Sequence, residues 1–504
     1  MRERAVGGTP GTRQIGWFLA FFLLALLPRL SAVLAGTAFA DDLVHTPQGH
    51  LLSHRFTNFV ELGWWTTLFG DRYLIGATPK IVASLYTAFL CVAMRALLLR
   101  WRVTPLAATL VAVLIPLHPI WNAFIVWNVC GVYVLSLLLL VLGYTALVHE
   151  TPRHRIAGVL LLFAGIASYQ IHVGLLPALI ALELLLAPVR SFRMVLRRAT
   201  AVVIAVALYA IASKAFDVAG VHTWGSRGVS LERVAKKVQP MVDNLATLTQ
   251  PLLSYFGSIE LAWRFWWVPF LVTAAIAIVA LLVARCRISY ALVVGASILV
   301  LPVVAAAVIL PLNVQPTGPR VSAAIWLSLL LALVPLFDRL ATSRARLATL
   351  ASVLLLATLA GIVAVADARN RARAWEFDLD VLNAIREDWS TRNVPIDQVT
   401  IEIHRPPLPI GKIEQGRPIV LQNFNPMTPL EYSNVIRWPH FFFPAFGFRE
   451  VRVSVSDPLP ADLNYETFAA WKSDAAKRTT IVIARSLDPA PSRSPHGHSP
   501  LPSH

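Results

Sequence analysis

The feature that most constrains this chain is the recurrence of apolar runs close to membrane length. A helix rises about 1.5 Å per residue, so about 20 apolar residues cross a hydrocarbon core of about 30 Å. Such runs fall at roughly 15–37, 79–99, 104–121, 127–148, 156–172, 173–189, 199–216, 265–284, 289–310, 320–337 and 347–366. Within lipid a segment must satisfy its own backbone N–H and C=O groups, and a helix does so. The expected fold class is an α-helical polytopic membrane protein with about eleven transmembrane helices. Runs 156–172 and 173–189 are slightly short and read either as two crossings or as a re-entrant hairpin. Composition agrees. Of 504 residues, 56% are hydrophobic and 14% charged, against about 25% charged in a soluble domain.

The net charge is +16. Its placement excludes nucleic acid as the expected partner and favours a lipid bilayer. Arg100 and Arg102, Arg153 and Arg155, Arg190, Arg193, Arg197 and Arg198, Arg285 and Arg287, and Arg339, Arg344 and Arg346 all occupy alternate short loops. The loops between them, around His118, Tyr169 and Gln315, hold little basic charge besides Arg320. By the positive-inside rule the N-terminus is cytoplasmic and the C-terminus lies outside. Arg2, Arg4 and Arg13 with Ala38-Phe39-Ala40 resemble a signal peptide and its cleavage site. The apolar run between them exceeds the usual ~7–15 residues, so it reads as a retained helix. Cys91, Cys130 and Cys286 lie far apart, in or beside apolar runs, and suggest packing rather than a disulfide framework or metal site.

Three long segments then face outside. The first, about 38–78, contains Phe56, Phe59, Val60 and Trp64 at helical spacing, which suits a short interfacial helix. The second, about 217–264, carries Leu231, Val234 and Val238 among basic residues, an amphipathic pattern, before Trp263, Trp266 and Trp267 mark re-entry. The third follows the membrane part, 1–366. Residues 367–487 read as a small extracytoplasmic α/β domain. Its expected elements are a helix over 374–389, strands over 399–403, 418–421, 451–455 and 480–483, and a further helix over 464–476. Residues 488–504, rich in Pro, Ser and His, read as a disordered tail.

The chemistry-bearing residues gather on the outer side. Asp41 and Asp42 sit just beyond the first apolar run. Neighbouring side chains in extended backbone point to opposite faces, so the two suit different tasks. One carboxylate, partly desolvated at the membrane, would act as a general base. The other could hold a divalent cation, since hard cations prefer oxygen ligands. A helix-ending turn is the plainer reading of the pair. His45, His50 and His54 follow and read mainly as loop histidines. Arg55, Arg72, Lys80 and Arg320 are the cations able to face a phosphate. Arg320 is best placed, at the outer end of a helix, and its guanidinium suits bidentate phosphate binding. The other three read first as solvated or anchoring charges. Tyr169-Gln170-Ile171-His172 interrupts apolar sequence. Its buried polar groups need partners, which a sugar or a tight turn would supply.

Phe39-Ala40-Asp41-Asp42-Leu43 after the first membrane helix, with Ser168-Tyr169-Gln170 later, resembles the polytopic C-type-fold glycosyltransferases. Within them the chain most resembles the bacterial serotype-converting (type II) glucosyltransferases. That resemblance implies transfer of a sugar, glucose in the family, from a polyprenyl-phosphate donor to a cell-surface glycan such as the O-antigen of lipopolysaccharide. It implies a multi-pass protein of the bacterial inner membrane acting on the periplasmic face. It implies catalytic Asp41 and Asp42, with Tyr169 and Gln170 on the substrate side; position on the outer side adds His45, Arg55 and Arg320 as expected substrate-binding residues. Such families often place an arginine shortly after the acidic pair, where this chain has His45. A transporter or flippase of lipid-linked sugars, an O-antigen polymerase and a scaffold are the competing readings. Transporters usually carry ionisable residues inside the membrane. Here the expected spans are nearly free of them, with Arg29, Arg95, Glu183 and Lys214 as the exceptions, mostly towards helix ends.

Overall fold

The computed structural model describes residues 10–37, 76–118, 121–126, 131–186, 192–218, 288–307, 319–342, 346–405, 443, 446–448, 450–455 and 469–483. The chain is mostly helical. Among the described residues five helices are long and apolar enough to cross a membrane: Gln14–Leu34, Thr78–Arg100, Gly131–Val148, Phe192–Ala215 and Ala323–Ala341. Shorter apolar helices cover Pro105–Leu117, Gln170–Leu186 and Thr349–Ile362. The expected span 265–284, the interfacial helices of 38–78 and 217–264, the strand 418–421 and the tail lie outside the described residues.

The first run is not one straight helix. It divides into α1 (Pro10–Leu26), a 3₁₀ turn (Leu27–Arg29) and α2 (Leu30–Leu34). Pro28 accounts for the break, because it lacks an N–H and its ring crowds the preceding turn. α2 closes with Gly36 at φ +61. There Thr37 N donates to Ala32 O and Gly36 N to Val33 O. This is a Schellman cap, whose left-handed residue favours glycine. α3 (Thr78–Arg100) and α4 (Pro105–Leu117) each begin with proline in the first turn, where the missing donor costs nothing. α5 (Asn122–Ile125) is a single turn, and α6 (Gly131–Val148) follows.

α6 and α7 (Pro152–Ser168) form an antiparallel hairpin packed through glycines. A Cβ on Gly143 would lie 2.9 Å from Leu162 N, and one on Gly165 3.1 Å from Leu140 N. Small residues let helices approach this closely in an apolar medium, where dispersion contacts must hold them together. A 3₁₀ turn (Gln170–Gly174) then leads into α8 (Leu175–Leu186). α9 (Phe192–Val218), α10 (Ile288–Ala307), α11 (Pro319–Ala332) and α12 (Val334–Ala341) follow among the described residues. The expected span 320–337 is thus two helices, parted at Leu333 ahead of Pro335.

α13 runs unbroken from Arg346 to Thr391. It joins the expected span 347–366 to the expected helix 374–389. No proline or glycine stands between them to stop it. Beyond it lies a four-stranded sheet in the order β2-β1-β4-β3. β1 (Thr400–Arg405) pairs in parallel with β2 (Glu450–Val455) and with β4 (Arg478–Ile483). β3 (Ala469–Ser473) pairs antiparallel with β4. The expected helix 464–476 is corrected here, because its core is strand β3. Asp474 decides the matter. Its Oδ1 accepts from Ala476 N at 2.9 Å and from Arg478 N at 3.1 Å, and Lys477 adopts φ +58. A side-chain turn of this kind closes a hairpin in place of a helix. Trp375, Leu382, Ile385 and Trp389 of α13 bury against Val399, Ile401, Phe443 and Val451. Trp389 Nε1 donates to Thr479 Oγ1 at 2.6 Å. Phe443, from the aromatic stretch 438–444, is therefore core.

Candidate functional site

Asp41, Asp42, His45 and Arg55 lie outside the described residues. What the structure describes is the pair of stems from which their segment leaves and to which it returns. These are Gly36-Thr37 and Gly76. A Cβ on Gly36 would lie 3.8 Å from Gly76 Cα, so the stems are neighbours. Lys80, on the first turn of α3, is fully buried. Its ammonium donates to Thr37 O and, at 3.0 Å, to Gly76 O. A buried ammonium must be hydrogen-bonded to be tolerated. The solvated reading of Lys80 is therefore corrected, because it fastens both stems.

At the break between α1 and α2, Arg29 is also fully buried. Its Nε donates to Asn122 Oδ1 at 2.6 Å, and its Nη atoms donate to the carbonyls of Ala25, Pro116 and His118. Asn122 Nδ2 in turn donates to Ala364 O at 2.9 Å. Arg29 thus links the break in the first helix to the end of α4, to α5 and, through Asn122, to α13. The freed carbonyls near Pro28 and Pro116 are natural acceptors for a guanidinium.

Rings surround this polar centre. The His118 ring lies over Trp326 with centroids 4.1 Å apart, and Trp121 meets Trp326 edge-on at 6.3 Å. Among the described residues the Trp121 indole N–H meets no acceptor. Beside them Tyr133 packs on Tyr169 at 4.2 Å, and His172 stands edge-on to Tyr169 at 4.7 Å. Tyr169 is extended, at φ −158 and ψ 98, and closes α7. It is buried, whereas Gln170 is half-buried. The turn holding Gln170 and His172 packs against α10 and α11. Arg320 is the second residue of α11. Tyr169, Gln170 and the helix that carries Arg320 therefore meet at one end of the bundle. Thr37, Gly76 and Lys80 belong to the same end. Ala35 also packs there against the α13–sheet core.

The opposite end holds a second buried polar group. Glu183 is buried in α8, where its Oε2 accepts from the Tyr144 hydroxyl at 2.6 Å and its Oε1 pairs with Arg198. Arg198 also bonds Glu150 at 2.8 Å. The sequence marks Glu183, with Arg29, Arg95 and Lys214, as ionisable residues within apolar runs, without its partner. An acid inside an apolar run calls for a nearby cation, and Arg198 was available in the next basic loop. His118, Trp121 and Trp326 gave no such cue, because aromatic residues in apolar runs are usually core. Among the described residues no group of three or more His, Cys, Asp or Glu side chains is placed to hold a metal.

Comparison with family models, curated proteins and solved structures finds no match to this chain.

Proposed function

We propose that the chain is a membrane glycosyltransferase. It moves a sugar, glucose by resemblance, from a polyprenyl-phosphate donor to a surface glycan such as O-antigen, at the periplasmic face of the bacterial inner membrane. One carboxylate of Asp41-Asp42 takes the acceptor hydroxyl proton. Arg320, with Arg55 and His45, offsets the charge that develops on the lipid phosphate. Tyr169 and Gln170 line the sugar side. A divalent cation, if used, sits on the second carboxylate. A tightly fixed base is what such a reaction needs, since general-base catalysis depends on reach to the proton.

The observation that supports this reading most is Lys80. The chain buries a charge to fasten both stems of the segment that carries the acidic pair. That expense is hard to explain for a mere connecting loop. The Tyr169-Gln170 turn and the start of α11 at the same end add support.

The buried Glu183–Arg198 pair favours a second reading, a transporter of lipid-linked sugars. One assay separates the two. The full chain is reconstituted in vesicles with polyprenyl-phosphate glucose and an acceptor glycan. New glycosidic product supports the transferase. Movement of the donor between leaflets without product supports the transporter. Robust product from a nucleotide sugar alone would also overturn the proposal.

A further inference from the structure

At the end of the bundle opposite Lys80, α3 stops at Arg100, and the α6–α7 hairpin turns through His149, Glu150 and Thr151. Arg100, His149, Arg153, His154 and Arg155 are all exposed there. The His149 and His154 rings stack at 4.6 Å. Arg100 Nη1 donates to Thr145 O, one turn before His149. The acid within the turn, Glu150, is already held by Arg198, which also holds Glu183. Among the described residues none of Arg100, Arg153 and Arg155 pairs with a carboxylate. Partial desolvation lowers the His149 pKa from its ordinary value, and the charges of Arg100 and His154 push it the same way. The local field is positive.

An apolar surface continues from this charge along the same helix faces. On α7, Arg153, Ile156 and Leu160 are spaced by three and four, so they share a face. Ile156 is 65% exposed and Leu160 59%. On α6, exposed Leu142 lies two turns below His149. The surface is thus basic at its head and apolar beneath, on a hairpin whose first helix, α6, is long and apolar enough to cross a membrane.

We propose that this face binds an anionic phospholipid. The headgroup phosphate meets Arg100, Arg153 and the stacked histidines, Arg155 on the next face of α7 adds to the positive field, and an acyl chain lies along Ile156 and Leu160. The shape argues for lipid over a free anion or a nucleic acid, neither of which would use the apolar stripe. The inference is independent of the reaction proposed above.

The test is native mass spectrometry of the full chain in detergent, titrated with phosphatidylglycerol or with phosphatidylcholine. Phosphatidylglycerol should bind preferentially. Each arginine near an anionic headgroup is worth a factor of about five. Arg100→Gln, Arg153→Gln and Arg155→Gln should each weaken binding about fivefold, and the triple variant more than tenfold. The corresponding triple lysine variant keeps charge and should retain the preference. Lowering the pH below the ordinary histidine range charges His149 and should strengthen binding. Equal binding of the two lipids, or a preference untouched by the triple glutamine variant, would overturn the proposal. Displacement of bound lipid by millimolar inorganic phosphate or by a short oligonucleotide would overturn it too.

Discussion

The ammonium of Lys80 hydrogen-bonds the carbonyl oxygen of Thr37, joining the start of α3 to the end of α2. Lys80 also reaches Gly76, so one buried side chain holds the exit and the return of residues 38–75. A hydrogen bond to a charged group contributes about 1.5–3 kcal/mol. Lys80→Met keeps most of the apolar stem and removes the donors. It should cost on the order of 2–5 kcal/mol of stability, read as a lower melting temperature in detergent. It should also speed proteolytic cleavage within 38–75. An unchanged melt and cleavage rate would remove Lys80 from the account.

Arg29 makes a fixed fork of bonds to Asn122, Ala25, Pro116 and His118. Lysine keeps the charge but loses the planar geometry. Arg29→Lys should therefore destabilise by about 2–4 kcal/mol, and Arg29→Met should do so too. Asn122→Leu should give a comparable loss through the bond to Ala364. Thermal unfolding of the three variants checks this. If Arg29→Lys matched the wild type, charge alone would be what the site requires.

Two glycines should respond oppositely to alanine. A Cβ at Gly143 meets the backbone of α7, with Leu162 N at 2.9 Å, whereas one at Gly16 meets nothing within 4 Å. Gly143→Ala must separate the hairpin and should cost about 1–3 kcal/mol. Gly16→Ala should be neutral or stabilise by up to about 1 kcal/mol through helix propensity. Melting curves of both variants provide the comparison.

The apolar frame was legible because lipid leaves a segment few options. The runs near 79–99 and 127–148 emerge as α3 and α6 almost as read, whereas α9 starts at Phe192, ahead of the expected 199, and takes Arg193, Arg197 and Arg198 out of the expected loop. Polar detail was less legible. Pro28 marked a break, but nothing local told that Arg29 would turn inward to Asn122, 93 positions away. Lys80 looked like an anchoring charge, since its acceptors are backbone carbonyls and leave no pattern in side chains. The C-terminal error had a different cause. Alanines and charged residues over 464–476 favour helix by propensity, yet Asp474 captures two backbone N–H groups and makes a hairpin. The continuity of α13 was readable, because nothing between 366 and 374 could end a helix.

Orientation is tested by reporter fusions. By the positive-inside rule, reporters after residues 125, 315 and 400 should report outside, and those after 152, 194 and 342 inside. The fusion at 400 matters most, because Ala35 packs against the core formed by α13 and the sheet. An inside result there would put the acidic pair and the sheet on the cytoplasmic side, away from any periplasmic acceptor.

The central claim rests on Asp41 and Asp42, and single-turnover transfer from polyprenyl-phosphate glucose tests it most directly. Asp41→Asn and Asp42→Asn keep size and polarity while removing charge. Donor affinity and membrane insertion are measured alongside the rate. A catalytic base is worth about 10²–10⁴-fold. One of the two variants should lose that factor in rate with donor binding intact, and the other should mainly weaken acceptor or cation binding. Full single-turnover activity in both would contradict the account and leave the pair as a helix-ending turn.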